Sequence, residues 1–123
     1  PAEGIPSTSS LINGALFSVS PIALRRNLSY LWQNKRMITE LETSRFGTIV
    51  MIDIGATNVG SISQTFTPGE KINRGDERGY FSFGGSSTIT LFEEGKITLA
   101  DDLVEQTSRQ TELYAPMGSL LGS

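Results

Sequence analysis

Gly84 and Gly85 stand between two strongly β-forming stretches, Tyr80-Phe81-Ser82-Phe83 and Thr88-Ile89-Thr90-Leu91-Phe92, and directly before Ser86 and Ser87. Paired glycines are usually excluded from a central strand, because they lose more conformational entropy than other residues and pack nothing. Two readings fit this placement. One is a tight turn or bulge. In the other, the Ser86 hydroxyl attacks the carbonyl carbon of Gly85, where the missing Cβ leaves the approach open. Attack converts the amide into an ester. Elimination frees Gly85 as a carboxyl terminus and leaves Ser86 as dehydroalanine, which hydrolyses to a pyruvoyl group. Such a carbonyl is an electrophile that forms an imine with an amine, the electron-sink work of pyridoxal phosphate. The glycine before it favours Ser86 over Ser87 as the nucleophile. A base must activate the hydroxyl, and the sequence contains no histidine.

Composition narrows the remaining chemistry. At 123 residues the chain has room for one small domain, and 37% hydrophobic with 19% charged residues is globular rather than disordered. Without cysteine there is no disulfide, thiolate nucleophile or cysteine zinc site. Without histidine the chain alone forms neither a serine–histidine–carboxylate triad nor a histidine metal site, so no metal is expected. A net charge of -3 with no basic block argues against nucleic acid. No apolar run approaches the roughly 20 residues that span a bilayer. The chain opens at Pro1-Ala2-Glu3-Gly4 without methionine, which fits a fragment or processed piece.

The elements that must position Gly85 and Ser86 read as mainly β. The first ten residues are turn-forming and read as a loop. Ile12 to Val19 reads as a short strand broken at Gly14. Pro21 to Trp32 carries Leu24, Leu28 and Leu31 at helical spacing, which predicts a short helix packed on the core. Met37, Thr39, Leu41 and Thr43 alternate with Ile38, Glu40 and Glu42, as in a half-exposed strand. Gly47 to Ile54 is nearly continuous in apolar residues and predicts a strand covered on both faces. Val59 to Phe66 continues the strands after a turn at Gly55 to Asn58, and Pro68-Gly69 and Arg74-Gly75-Asp76 mark further turns. Asp76 and Glu77 read as a solvated hairpin, and Phe81 and Phe83 as core residues on one strand face. Ala100 to Arg109 reads as a short helix whose Asp101 and Asp102 suit the positive end of the dipole. Met117 to Ser123 reads as a flexible tail. The expected fold is a sandwich or partly closed, hybrid-barrel-like barrel with one or two short helices.

Several motifs resemble the phosphatidylserine decarboxylase family. Gly84-Gly85-Ser86-Ser87-Thr88 occupies the place of its Leu-Gly-Ser-Thr processing segment. Ile54-Gly55-Ala56-Thr57-Asn58-Val59-Gly60-Ser61-Ile62 is similar to its Val-Gly-Ala-x-x-Val-Gly-Ser-Ile. Asn73 to Phe81 resembles its Lys-Gly-x-Glu-x-Gly-x-Phe, and Leu16-Phe17-Ser18-Val19, Asn34-Lys35-Arg36, Glu112 and Met117-Gly118 match further landmarks. Lys35 stands where Glu is common.

The resemblance implies that residues 1–123 form the C-terminal part of a decarboxylase catalytic domain. Self-cleavage after Gly85 would leave residues 1–85 as the end of a β chain and 86–123 as an α chain. Ser86 would become the covalent pyruvoyl cofactor, bordered by Gly84, Gly85 and Ser87. The implied substrate is phosphatidylserine in a membrane, the product phosphatidylethanolamine, and the setting peripheral, on the cytoplasmic side of a cell membrane. A homodimer is compatible with this. The family's Tyr-His-Arg-x-His-x-Pro-x-x-Gly motif ends in positions like Pro1 to Gly4, so the processing histidines and an aspartate are expected upstream, and this piece alone is expected to stay uncut. Arg25 and Arg26 suit contact with lipid phosphate. Two alternatives remain: a pyruvoyl-dependent decarboxylase of a soluble amino acid, and a non-catalytic lipoyl- or biotinyl-like module. Lys35, Lys71 and Lys96 lack the hairpin-tip setting that such a module needs.

Overall fold

Alternating apolar and polar residues over one stretch, and near-continuous β-branched residues over the next, build the two longest strands of the molecule. The computed structural model describes residues 1–58, 61–84 and 86–123. Its elements in chain order are β1 (Ile5–Pro6), β2 (Ser10–Ile12), α1 (Pro21–Arg26), α2 (Tyr30–Gln33), β3 (Arg36–Thr43), β4 (Gly47–Ile54), β5 (Ile62–Gln64), β6 (Gly79–Phe81), β7 (Ser87–Leu91) and α3 (Asp101–Ser108). Among the described residues the strands form one antiparallel sheet, β1-β3-β4-β7 with β2 also on β3, and a separate β5-β6 pair, with no closed barrel. The mainly β expectation holds, with three short helices rather than one or two.

The β3–β4 hairpin organises the main sheet. Its turn is set by Gly47, whose φ of +67° is left-handed backbone that disfavours any Cβ. Thr43 locks the turn: its Oγ1 donates to the Gly47 carbonyl at 2.8 Å and accepts from the Phe46 N–H at 2.9 Å. The register then pairs Leu41 with Ile49 and Thr39 with Met51. Those four are buried, while Glu40 and Glu42 on the other face are exposed. Ala2, Phe46, Ile72 and Phe92 complete the core over Leu41, Ile49 and Met51. Each of the fully buried Leu41, Ile49 and Met51 side chains contributes about 1.5–3 kcal/mol by leaving water. On the other face Ile54 is buried but Val50 and Ile52 are only half-buried, so that face of β4 is covered in part rather than fully.

Four other expectations change. Ile5–Pro6 and Ser10–Ile12 are strands on β3 rather than loop, and Ile12 to Val19 is not a strand beyond Ile12. Pro21 to Trp32 forms two helices. Ser20 caps the first and Pro21 occupies its first turn, but the Asn27 side chain accepts from both Ser29 N–H (3.0 Å) and Ser29 Oγ (2.6 Å), an Asx-type turn that ends it. Neither helix buries a residue, and Leu28 is 56% exposed, so the leucine spacing does not mark a core stripe. The tail is also tied down, since Thr98 and Ser123 exchange both backbone hydrogen bonds at 2.9 Å. α3 forms as expected, with Asp101 and Asp102 in its first turn.

Ile49→Ala should lower unfolding free energy by about 2–5 kcal/mol in urea titrations, whereas Val50→Ala on the half-covered face should cost clearly less. Equal losses would mean that β4 buries both faces.

Candidate active site

The β4–β7 ladder decides where Ser86 goes. Ile54 pairs with Ser87 and Asp53 with Thr88, so Ser86 immediately precedes the strand, beside the last residue of β4. Its hydroxyl donates to the Ile54 carbonyl. Ser86 and Ser87 line an open cleft of about 290 Å³ with Ser18, Val19, Ser20, Ala56 and Thr57. The lining is hydroxyl and aliphatic. None of these residues is a carboxylate, amine or imidazole, and the Ser86 hydroxyl donates to a carbonyl, which accepts a hydrogen bond without removing the proton.

The far wall is held by Asn34, which is fully buried. Its Oδ1 accepts from the Phe17 N–H at 3.0 Å, and its Nδ2 donates to the Phe17 and Gly55 carbonyls, each at 2.8 Å. One amide side chain thereby fastens the Leu16–Ser20 segment to the turn that follows β4. Backbone bonds from Lys35 N–H to the Ala15 carbonyl (2.9 Å) and Gly55 N–H to the Lys35 carbonyl (2.7 Å) reinforce it. Thr57 Oγ1 adds a bond to the Leu16 carbonyl at 2.9 Å, and Phe17 stacks on Tyr30 with ring centres 4.6 Å apart.

The approach to Ser86 departs from strand geometry. Phe81 ends β6, and Phe83 adopts a left-handed φ of +66° with its ring 93% exposed. For a residue with a Cβ this conformation costs about 1–2 kcal/mol. Phe83 is therefore not core, and its expected face-sharing with Phe81 fails because the strand has already ended. Gly84 follows with φ of +139°, which glycine tolerates. Gly85, the residue expected to supply the broken bond, lies outside the described residues, as do Val59 and Gly60. Thus Ser86 and Ser87 are together in the cleft, while Gly84 lies on its approach.

Asp76 and Glu77 are exposed, as expected of a solvated turn, and the Asp76 carboxylate accepts from the Asn73 N–H at 2.7 Å. Sequence reasoning passed over Asp53. It is 4% exposed on the buried face of β4, and its carboxylate accepts two bonds from the Arg78 guanidinium and one from Gln64 Nε2 at 3.0 Å. A single acid inside an otherwise apolar strand was the available signal, since a buried charge demands a partner. Among the described residues, no group of His, Cys, Asp and Glu is arranged to hold a metal.

Comparison with known proteins bears on the whole chain. A family model described as phosphatidylserine decarboxylase matches residues 1–122. The phosphatidylserine decarboxylase proenzyme of Chlamydia muridarum is 50% identical over 122 residues, covering 99% of this chain and 40% of the relative. That of Chlamydia pneumoniae is 43% identical with the same coverage, and that of Clostridium novyi 43% identical over 98% of this chain and 41% of the relative. The chain thus spans about 40% of the length of the curated relatives it matches. No solved structure gives a significant match.

Asn34→Ala should remove about 2 kcal/mol of stability, because three backbone groups, the Gly55 carbonyl among them buried, lose their partner. Hydrogen exchange at the Phe17 amide should accelerate with it. An unchanged Phe17 amide would show that the wall is held by other contacts.

Proposed function

The chain belongs to the phosphatidylserine decarboxylase family, and we propose that it carries the self-processing serine of a pyruvoyl-dependent enzyme that decarboxylates phosphatidylserine to phosphatidylethanolamine. The observation that carries this reading is the Ser86 hydroxyl, half-buried at the edge of a polar cleft directly after a glycine. In the processing step Ser86 Oγ bonds to the Gly85 carbonyl carbon, the C–N bond breaks, and the proton passes from oxygen to nitrogen. Loss of the Ser86 Cα proton to a base then expels the Gly85 carboxylate. Water adds to the dehydroalanine that results, and ammonia leaves.

The cleft fits the group that Ser86 would become. The residue is already covalently in place, no charged side chain lines the cleft among the described residues, and Asn34 fixes the wall formed by the Leu16–Ser20 segment. The pyruvoyl carbonyl would supply an electron sink for the carbanion formed when carbon dioxide leaves an amine-bearing substrate. Ser18, Ser20, Thr57 and Ser87 offer hydroxyls to a polar headgroup from around the cleft. Since no base lines the cleft among the described residues, we assign the processing base to a part of the proenzyme outside this stretch, and the stretch by itself stays uncut.

The neighbourhood of α1 favours the lipid over a free amino acid. Ser20, its N-cap, lines the Ser86 cleft, while Pro21, Leu24, Arg25 and Leu28 line a second groove with Gln110, Thr111 and Glu112. A polar pocket and a more apolar groove joined by one short helix suit a molecule with a polar head and an acyl chain. Exposed Ile22, Leu28 and Trp32 beside exposed Arg25 and Arg26 suit a peripheral position on an anionic membrane surface, which we assign to the cytoplasmic leaflet.

In the full-length protein, Ser86→Ala should leave a single polypeptide by intact-mass spectrometry, whereas Ser87→Ala should still be cut. Full-length enzyme should release carbon dioxide from phosphatidylserine vesicles and not from free amino acids; activity on free amino acids alone would defeat the lipid assignment. Replacing Arg25 and Arg26 with Ser should weaken sedimentation with anionic vesicles by about fivefold per charge, and unchanged sedimentation would remove this face from consideration.

A further inference from the structure

Two consecutive residues of β4 hold the two ends of the link that contains Ser86. On the downstream side, Ile54 pairs with Ser87 and its carbonyl accepts the Ser86 hydroxyl. On the upstream side, Asp53 binds Arg78, the residue just before β6. The pair is built for fixed geometry: two guanidinium nitrogens meet the two carboxylate oxygens, Nη1 to Oδ2 at 2.7 Å, with side chains 22% and 6% exposed. Such a fork sets orientation as well as distance, and water screens it poorly. Gln64 of β5 joins the same carboxylate, so both strands of the small sheet are fastened to the main one at this point. Ser82 N–H, bonded to the Ser61 carbonyl at 3.2 Å, extends the small sheet's pairing toward the link. Between these anchors Phe83 keeps its left-handed backbone with an exposed ring. A conformation of that kind persists only where the surroundings over-determine it, and no packing of the ring does so.

We propose that the Asp53–Arg78 pair is a positioning clasp for the chain break, holding β6 so that the link into Ser86 keeps the backbone path needed for attack. The proposal rests on the reading of Ser86 as the self-processing nucleophile. Among the described residues neither is bonded to Ser86, so both act as positioning residues. Their contribution is to the rate of the break, because displacement of the carbonyl by about 1 Å from the hydroxyl is enough to slow an intramolecular attack severely.

The test follows the full-length proenzyme from cell-free synthesis, reading the uncut fraction against time by intact mass and the melting temperature of the uncut form in parallel. Asp53→Asn and Arg78→Gln should each slow the break on the order of tenfold. The double variant should be no slower than the worse single, since both remove one interaction. Arg78→Lys, which keeps the charge and loses the fork, should fall between, and it carries the test if the neutral variants do not fold. Ile49→Val, in the core and remote from the link, should lower the melting temperature while cutting at the wild-type rate. Clasp variants that cut at the wild-type rate, additive effects in the double variant, or equal slowing by Ile49→Val would overturn the proposal. A wild-type protein that is never cut, or Ser86→Ala that is, would instead overturn the reading of Ser86 itself.

Discussion

Because Ile54 pairs with Ser87 across the β4–β7 ladder, the end of β4 fixes both the height and the direction at which the chain re-enters the sheet. A slip of one residue would send every side chain of β7 to the opposite face. It would also carry Ser86 away from the Ile54 carbonyl and out of the cleft that it shares with Ser18, Ser20 and Thr57. The β3–β4 hairpin sets this ladder in turn, through the Thr43-locked turn at Gly47 and the register that runs from it to Ile54.

Buried polar groups mark where that accuracy is needed. Asn34 and Asp53 are both nearly inaccessible, and each makes three hydrogen bonds to segments distant in sequence. Neither is a gain over an apolar residue on burial alone, since desolvation costs each of them heavily. Their return is specificity. Asn34 joins two loops that have no ladder of their own, and Asp53 joins two sheets.

How much of this the sequence disclosed depends on the range of the interaction concerned. β4 was legible to its limits, Gly47 and Ile54, because a run of β-branched residues carries its own conformational preference. α3 was legible from its acidic first turn, Asp101 and Asp102. The leucine spacing of Pro21 to Trp32 misled, because periodicity does not report an Asx turn at Asn27 that interrupts the helix. Phe83 misled for a related reason: alternation with Phe81 presumes a strand, but the strand ends at Phe81 and Phe83 is left-handed. Ser86 and Ser87 were legible as neighbours of glycine. Their cleft was not, because Ser18, Ala56 and Ser86 meet only through tertiary structure, and the family resemblance supplied the order of the motifs rather than their geometry. Arg78 was out of reach as the partner of Asp53 because 25 residues separate them.

The placement of β7 has a consequence once the proposed break is made. Asp53 and Arg78 lie on the same piece, so their attraction is independent of dilution. The β4–β7 ladder, by contrast, changes from a contact within one chain to an association between two, and mass action then governs it. A strand of five residues would have to offset the lost translational and rotational freedom of the smaller piece. The residues after Leu91, including Phe92 in the core and Glu93, whose carboxylate accepts from the Thr48 N–H at 2.6 Å, therefore acquire a second role as the grip that keeps two polypeptides one molecule.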